Sequence, residues 1–166
     1  IDWILLDGDS IWKTQNLSRI NTIGYEINSI IDINNLLDLN LPISPININY
    51  AVNKSDTNSN GFQSAYVLDH LKTNLSISTK QILKNNLFAN WRFTYQDREG
   101  GYIDFANGTE NEYLPFWIID IRLSYNTLYN STVYLELNNL LDKKYVDFGN
   151  IPQPRRWLRA GIKINL

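Results

Sequence analysis

Apolar and polar residues alternate with a period of two along most of the chain. From Ile119 to Tyr125 the odd positions are apolar and the even ones polar, as on a strand with one face buried. The C-terminus repeats the rule. Leu158, Ala160, Ile162, Ile164 and Leu166 share one face, with Trp157, Arg159, Gly161, Lys163 and Asn165 on the other. Val133, Leu135 and Leu137 alternate with Tyr134, Glu136 and Asn138, and Leu87, Ala89, Trp91, Phe93 and Tyr95 alternate with Phe88, Asn90, Arg92, Thr94 and Gln96. Further back, Leu71 to Ser78, Ile46 to Val52 and Ile23 to Asp32 follow the same pattern. Those segments predict seven strands, and Ile1 to Leu6 an eighth. No segment shows a helical period or a capping box, so the expected class is all-β, with about eight antiparallel strands in residues 1–166 and no second domain or linker.

The predicted connections differ in length. Tight or moderate links fall at Tyr129-Asn130 and Thr79 to Asn86, with a proline-bounded one from Leu36 to Pro45. Long polar links fall at Asn53 to Gln63, Arg98 to Leu114 and Leu140 to Arg156. In an up-and-down meander this gathers the long links at one end. A soluble sandwich has no reason for such asymmetry, whereas an outer-membrane barrel has short periplasmic turns and long extracellular loops.

Composition narrows the chemistry. The 166 residues carry 15 Lys+Arg against 17 Asp+Glu, a net charge of −2, which favours neither nucleic acid nor an anionic membrane surface as partner. With 0 Cys there is no disulfide, thiolate metal site or cysteine nucleophile, and the single His70 excludes multi-histidine metal sites. No window offers the roughly 18 consecutive apolar residues of a membrane-spanning helix. The opening at Ile1, inside an apolar stretch and without a signal peptide, reads as a processed or truncated polypeptide.

Alternation alone does not say whether the apolar face meets lipid or a second sheet. The polar faces favour Asn, Ser, Thr, Gln and Arg over the Lys and Glu of a solvated surface. Tyr50, Tyr95, Tyr113, Trp117, Tyr125 and Tyr145 near strand ends suit an interfacial aromatic girdle. Both features favour a transmembrane barrel, with a self-contained eight-stranded structural or adhesion barrel and a soluble all-β binding domain as alternatives.

Leu135-Glu136-Leu137-Asn138-Asn139-Leu140-Leu141-Asp142-Lys143-Lys144-Tyr145, followed by Ile151-Pro152-Gln153-Pro154-Arg155-Arg156 and a terminal alternating strand, resembles the ending of TonB-dependent outer-membrane receptors. Leu141, Arg155 and Leu166 stand where that family has Phe, Gly and a terminal aromatic residue. Upstream, Gln15-Asn16-Leu17-Ser18 through Gly24-Tyr25-Glu26 resembles the same family's pattern of an Asn-apolar pair before a strand carrying Gly-x-Glu. The resemblance leans toward receptors for cobalamin and ferric siderophores. It implies an integral protein of the bacterial outer membrane, with residues 1–166 as the last third of a 22-stranded barrel whose plug domain lies outside this chain. It further implies TonB as partner through an N-terminal region, contact with outer-membrane lipid and lipopolysaccharide, a metal-complex nutrient as ligand, and in some members a surface lipoprotein. No catalysis, cofactor or resident metal is implied. Gly24 and Gly161, on the predicted lumen face, suit a wide lumen filled by another domain, because eight strands closed alone leave room only for side chains.

Candidate sites follow. Arg98-Glu99-Gly100-Gly101-Tyr102 opens the longest central loop, and the resemblance makes Arg98, Tyr102 and Tyr113 candidates for ligand contact. Arg92, Arg122, Glu136, Arg159 and Lys163 are candidates for facing the lumen and plug. Arg155-Arg156 either meets lipopolysaccharide phosphates or closes the last loop. Asp56 to Gly61 matches the first half of a calcium loop, but position 12 falls on Val67 in place of Glu, which makes it an ordinary polar hairpin tip. His70 beside Asp69 lacks an accompanying serine motif and reads as a polar rim residue. Asp104, Glu110 and Glu112 read as solvated loop charges, and the sequon at Asn16 as a chance match in an Asn-rich chain.

Overall fold

A computed structural model describes residues 2–6, 10–16, 21–55, 62–64, 70–104, 106–127, 130–147 and 151–164. Seven long strands carry the fold: β3 (Thr22–Ile31), β4 (Ile46–Ser55), β6 (Leu71–Lys84), β7 (Leu87–Arg98), β10 (Phe116–Asn126), β11 (Ser131–Asn138) and β12 (Trp157–Ile164). They form one antiparallel sheet in the order β12-β11-β10-β7-β6-β4-β3. Each long strand therefore pairs with the next long strand along the chain.

The remaining strands are short. β1 (Asp2–Leu6) pairs with β2 (Lys13–Gln15) and with β5 (Phe62–Ser64), and β8 (Gly101–Asp104) forms a hairpin with β9 (Thr109–Glu112). The expected eighth strand thus lies outside the main sheet. β1 is the middle strand of its own three-stranded sheet, and its Ile4 is the largest fully buried side chain among the described residues. Nor do the seven strands close: among the described residues β3 pairs only with β4, and β12 only with β11. The sheet is open at both edges, and no closed barrel forms.

Meander topology sends successive links to opposite ends. Links 56–70, 99–115 and 139–156 share one end, and 32–45, 85–86 and 127–130 share the other. The predicted grouping of long loops holds, and the sheet thereby acquires a long-loop end and a short-link end. The link 32–45 is the exception in length, and it contains the helix α1 (Ile33–Leu37). No helix was expected. The Asp32 carboxylate accepts the Asn35 amide at 3.2 Å, and Asp38 closes the helix in the left-handed region at φ 51°.

Register aligns the alternation of all seven strands. One row runs Ile27, Tyr50, Leu75, Tyr95, Trp117, and another runs Thr79, Trp91, Ile121, Leu137, Leu158. One face of the sheet is therefore apolar from edge to edge. Because pairing in register leaves every second side chain on the same side, the opposite face collects Asn28, Asn49, Ser76 and Thr94 in one row, and Lys80, Asn90, Arg122, Glu136 and Arg159 in another. The apolar face is half-buried along its central rows, at Leu75, Trp91, Phe93 and Ile121, and open toward its outer strands and ends. Ile23, Tyr25, Ile27, Trp117, Leu135, Leu158 and Ile162 are all exposed, Ile23 to 80%.

Aromatic side chains on that face gather toward the long-loop end, where Tyr25 meets Tyr50 at 6.1 Å and Tyr95 meets Trp117 at 5.1 Å between ring centroids. Tyr125 stands near the short-link end. Two expected girdle members belong elsewhere. Tyr113 is buried against Tyr102, and Tyr145 packs on Phe116, which points from the polar face.

Candidate functional site

Polar-face chemistry is densest on the three C-terminal strands. Arg122 on β10, Glu136 on β11 and Arg159 on β12 are direct cross-strand neighbours. The Glu136 carboxylate accepts Arg159 Nε at 2.7 Å and a second bond from the same guanidinium, and forms an ion pair with Arg122 Nη1 at 3.1 Å. Two positive charges thus converge on one carboxylate that is only 8% exposed. A buried carboxylate is costly unless paired and hydrogen-bonded, and here both conditions are met. Arg122 also lies 3.9 Å above the Tyr134 ring centroid, and Tyr134 faces Gly161 across the β11–β12 pair. The open space expected beside Gly161 is filled by this ring, because a strand position without a side chain gives a cross-strand aromatic room to lie flat. Gly24 is likewise occupied, by the Asn53 side chain. Neither glycine marks an empty lumen.

Arg92 and Lys163 stand on the same face as these three residues, opposite Asp120 and Thr132 respectively, and both are exposed. All five residues proposed to face a lumen therefore share one side of the sheet.

At the long-loop end the structure brings the three ligand-contact candidates together. Arg98 closes β7 and donates to Asp147 Oδ1 at 2.8 Å, tying that strand to the loop 139–156. Its guanidinium lies 5.8 Å from the Tyr113 ring centroid, and Tyr113 packs on Tyr102 at 5.2 Å. Gly100 makes the turn into β8 at φ 99°, a conformation that a side chain would strain. Beyond it, the β8–β9 hairpin closes on Asn107-Gly108, with Asp104 Oδ1 accepting the Ala106 amide at 2.9 Å. Asp104 is thus a turn cap and not only a solvated charge. Glu110 and Glu112 are exposed.

Between this hairpin and the loop 139–156 lies a cleft of about 440 Å³. Tyr102, Tyr113, Phe116 and Tyr145 give it aromatic walls, and Lys143 and Lys144 line it together with Glu112. Phe116 and Tyr145 are 4.4 Å apart, so the loop is seated on the polar face of the sheet. Burial, with Asp147 and Asp120 nearby, pushes the Tyr145 hydroxyl above the ordinary phenol value. Its volume and mainly apolar lining suit a small molecule or one arm of a larger one. Rings offer stacking surface and the two ammonium groups favour an anion.

The loop itself is held by two residues that sequence reading passed over. Asn139 is 3% exposed and left-handed at φ 51°. Its amide donates to Asp120 Oδ1 at 2.9 Å. Its side chain accepts the Lys143 amide at 2.8 Å, and donates to the carbonyls of Lys143 and Pro154. Asp142, at φ 54°, accepts both Arg155 Nε at 2.9 Å and a second guanidinium nitrogen, and also the Arg156 amide at 3.0 Å. Arg155 hydrogen-bonded to it, with the Arg156 amide, lowers the Asp142 carboxyl from 3.8 to about 2. Arg155 and Arg156 therefore close the last loop, Arg156 Nε reaching the Leu140 carbonyl at 3.0 Å. Only the Asn and Asp spacing in Asn138-Asn139-Leu140-Leu141-Asp142, residues that tolerate left-handed backbone, hinted at this clamp.

Asp56 to Gly61, Val67 and Asp69 lie outside the described residues, as does the segment around Ser18. His70 is half-buried and its carbonyl accepts the Glu99 amide at 3.0 Å. Among the described residues no group of three or more His, Cys, Asp or Glu could hold a metal ion, and no helix is long and apolar enough to cross a membrane. No family model, curated protein or solved structure matches this chain.

Proposed function

We propose that these residues form the C-terminal part of the β-barrel of a TonB-dependent outer-membrane receptor that imports a metal complex such as cobalamin or a ferric siderophore. One observation carries the reading: an apolar face, in register across seven antiparallel strands, that no second sheet among the described residues is paired against and whose large side chains stand exposed on its outer strands. A soluble sandwich must bury such a face against a second sheet. A bilayer buries it without one. Both open edges fit a sheet continued by further strands, and the gathering of long loops at one end fits an extracellular side. The self-contained eight-stranded barrel is less well supported, since its eighth strand pairs elsewhere.

In this reading the long-loop end captures the ligand, with Arg98, Tyr102 and Tyr113 arranged beside the aromatic cleft. Arg92, Arg122, Glu136, Arg159 and Lys163 face water and the plug of the parent chain. TonB, driven by the inner-membrane proton gradient, displaces that plug, and no bond of the ligand is made or broken.

The deciding experiment is the intact mass of the native polypeptide extracted from membranes in detergent. The expected result is detergent-dependent extraction and a mass several times 19.3 kDa. A 19.3 kDa species that is released without detergent overturns the reading.

A further inference from the structure

We propose that the link between β3 and β4 is an interfacial element, its leucines seated among the lipid headgroups at the short-link end of the sheet. The inference rests on the membrane reading of the apolar face.

This link is built, not loose. Asp32 caps α1 through the Asn35 amide and also accepts the Asn35 side chain at 2.7 Å. The Asn34 side chain accepts the Leu41 amide at 2.8 Å and donates to the carbonyls of Leu41 and Ile43. Ser44 donates to the Lys80 carbonyl and Ile82 to that of Pro42, each at 2.7 Å, which ties the second half of the link to β6. With so many backbone groups paired inside the link, its leucines turn outward. Leu36 is 70% and Leu37 60% exposed, and Leu39 and Leu41 are exposed as well. Leu83 is exposed at the same end. Single exposed apolar residues are ordinary, but a contiguous ordered group of this kind marks a contact surface.

Chain geometry names what it touches. On β3 the apolar face runs from Ile23 to Ile31, a stretch as long as the roughly 9–11 residues with which a tilted β-strand crosses a bilayer. Ile31 therefore stands at the lower end of that crossing. Five residues later comes Leu36, within a helix only about 7.5 Å long, so the leucines cannot leave the headgroup layer. Along the chain they follow closely on Ile31, the last apolar-face residue of β3. Lys84, which pairs with Leu87 at the same end of β6, supplies positive charge for anionic headgroups.

The test uses the native polypeptide with an environment-sensitive fluorophore on an introduced cysteine, these residues having none of their own. One variant is Leu36→Cys, a second is Leu37→Cys, and Leu135→Cys on the apolar face is the reference. Each is reconstituted into vesicles of phosphatidylethanolamine and phosphatidylglycerol carrying a nitroxide lipid. Expected is loss of emission at Leu36 or Leu37, stronger with the nitroxide near the glycerol level than at the acyl terminus. Quenching at Leu135 without quenching at either link position overturns the inference and leaves the membrane reading intact. That result would assign the leucines to a protein partner or a second copy. Absence of quenching at all three positions overturns both.

Discussion

The Tyr134 ring lies across Gly161 on the neighbouring strand, so close that a Cβ on the glycine would stand 2.5 Å from the phenol oxygen and 2.6 Å from the ring carbon bearing it. The same ring lies 3.9 Å below the Arg122 guanidinium, so the glycine indirectly sets where Arg122 sits relative to Glu136. Gly161→Ala is expected to displace the ring and cost about 1–3 kcal/mol, the range for inserting a methyl into a filled position. Its measure is the drop in the midpoint of denaturant unfolding, which Tyr134→Ala in the same chain should largely abolish.

Glu136 answers to two guanidinium groups, and removing it leaves both without their shared acceptor. Glu136→Ala should cost about 1–3 kcal/mol. That figure lies below the value for a fully buried ion pair because the arginines themselves reach solvent. A double-mutant cycle with Arg159→Ala should return a coupling well above that of exposed pairs such as Lys72 with Glu99.

Acid should loosen the last loop. The Asp142 carboxyl is held at about 2 in the folded chain against 3.8 ordinarily, so its pairing with Arg155 stabilises the loop above pH ~4. That contribution declines below the ordinary value and is gone once the pH falls through about 2. Amide exchange of residues 139–156 followed against pH should show protection falling across this window. In Asp142→Asn the same residues should show lower protection at neutral pH and no change attributable to this group.

Leu135→Arg separates lipid from water as the neighbour of the apolar face. Facing a bilayer, the substitution is expected to cost about 2–4 kcal/mol near the midplane. Facing water, a change at an already exposed position costs within about 0.5 kcal/mol. Refolding into vesicles, monitored by heat-modifiable migration, reads the difference.

Ligand capture at the aromatic cleft predicts that Tyr102→Ala, or Lys143→Gln combined with Lys144→Gln, weakens binding of the imported complex about tenfold without changing the amount of receptor in the membrane. Arg98→Ala should act through Asp147, by releasing the loop 139–156 from β7. Unchanged binding in all three would move ligand contact away from this cleft.

How much of this was readable along the chain differs from element to element. The seven long strands and both of their faces follow from alternation, because side chains on a strand repeat every two residues whatever the neighbours are. Grouping of the long links follows from strand order in a meander. The β8–β9 hairpin was hidden in what looked like plain loop, although Asn107-Gly108 is a strong turn pair. α1 was missed for a similar reason. Five residues are too few to show a helical period, and Asp32 with Asn35 is an incomplete capping signal.

By itself, then, the sequence determined that strands form, which residues share a face, and at which end the long links fall, all of them local or periodic properties. Tertiary structure alone decided that Asp2–Leu6 joins a separate sheet, that the seven strands remain open, and that Arg98, Tyr102 and Tyr113 meet beside one cleft. It also decided that Asn139 and Asp142 clamp the last loop, and that Tyr134 occupies the space above Gly161. These are contacts between residues distant along the chain, and they depend on pairing register and loop closure, which no periodicity records.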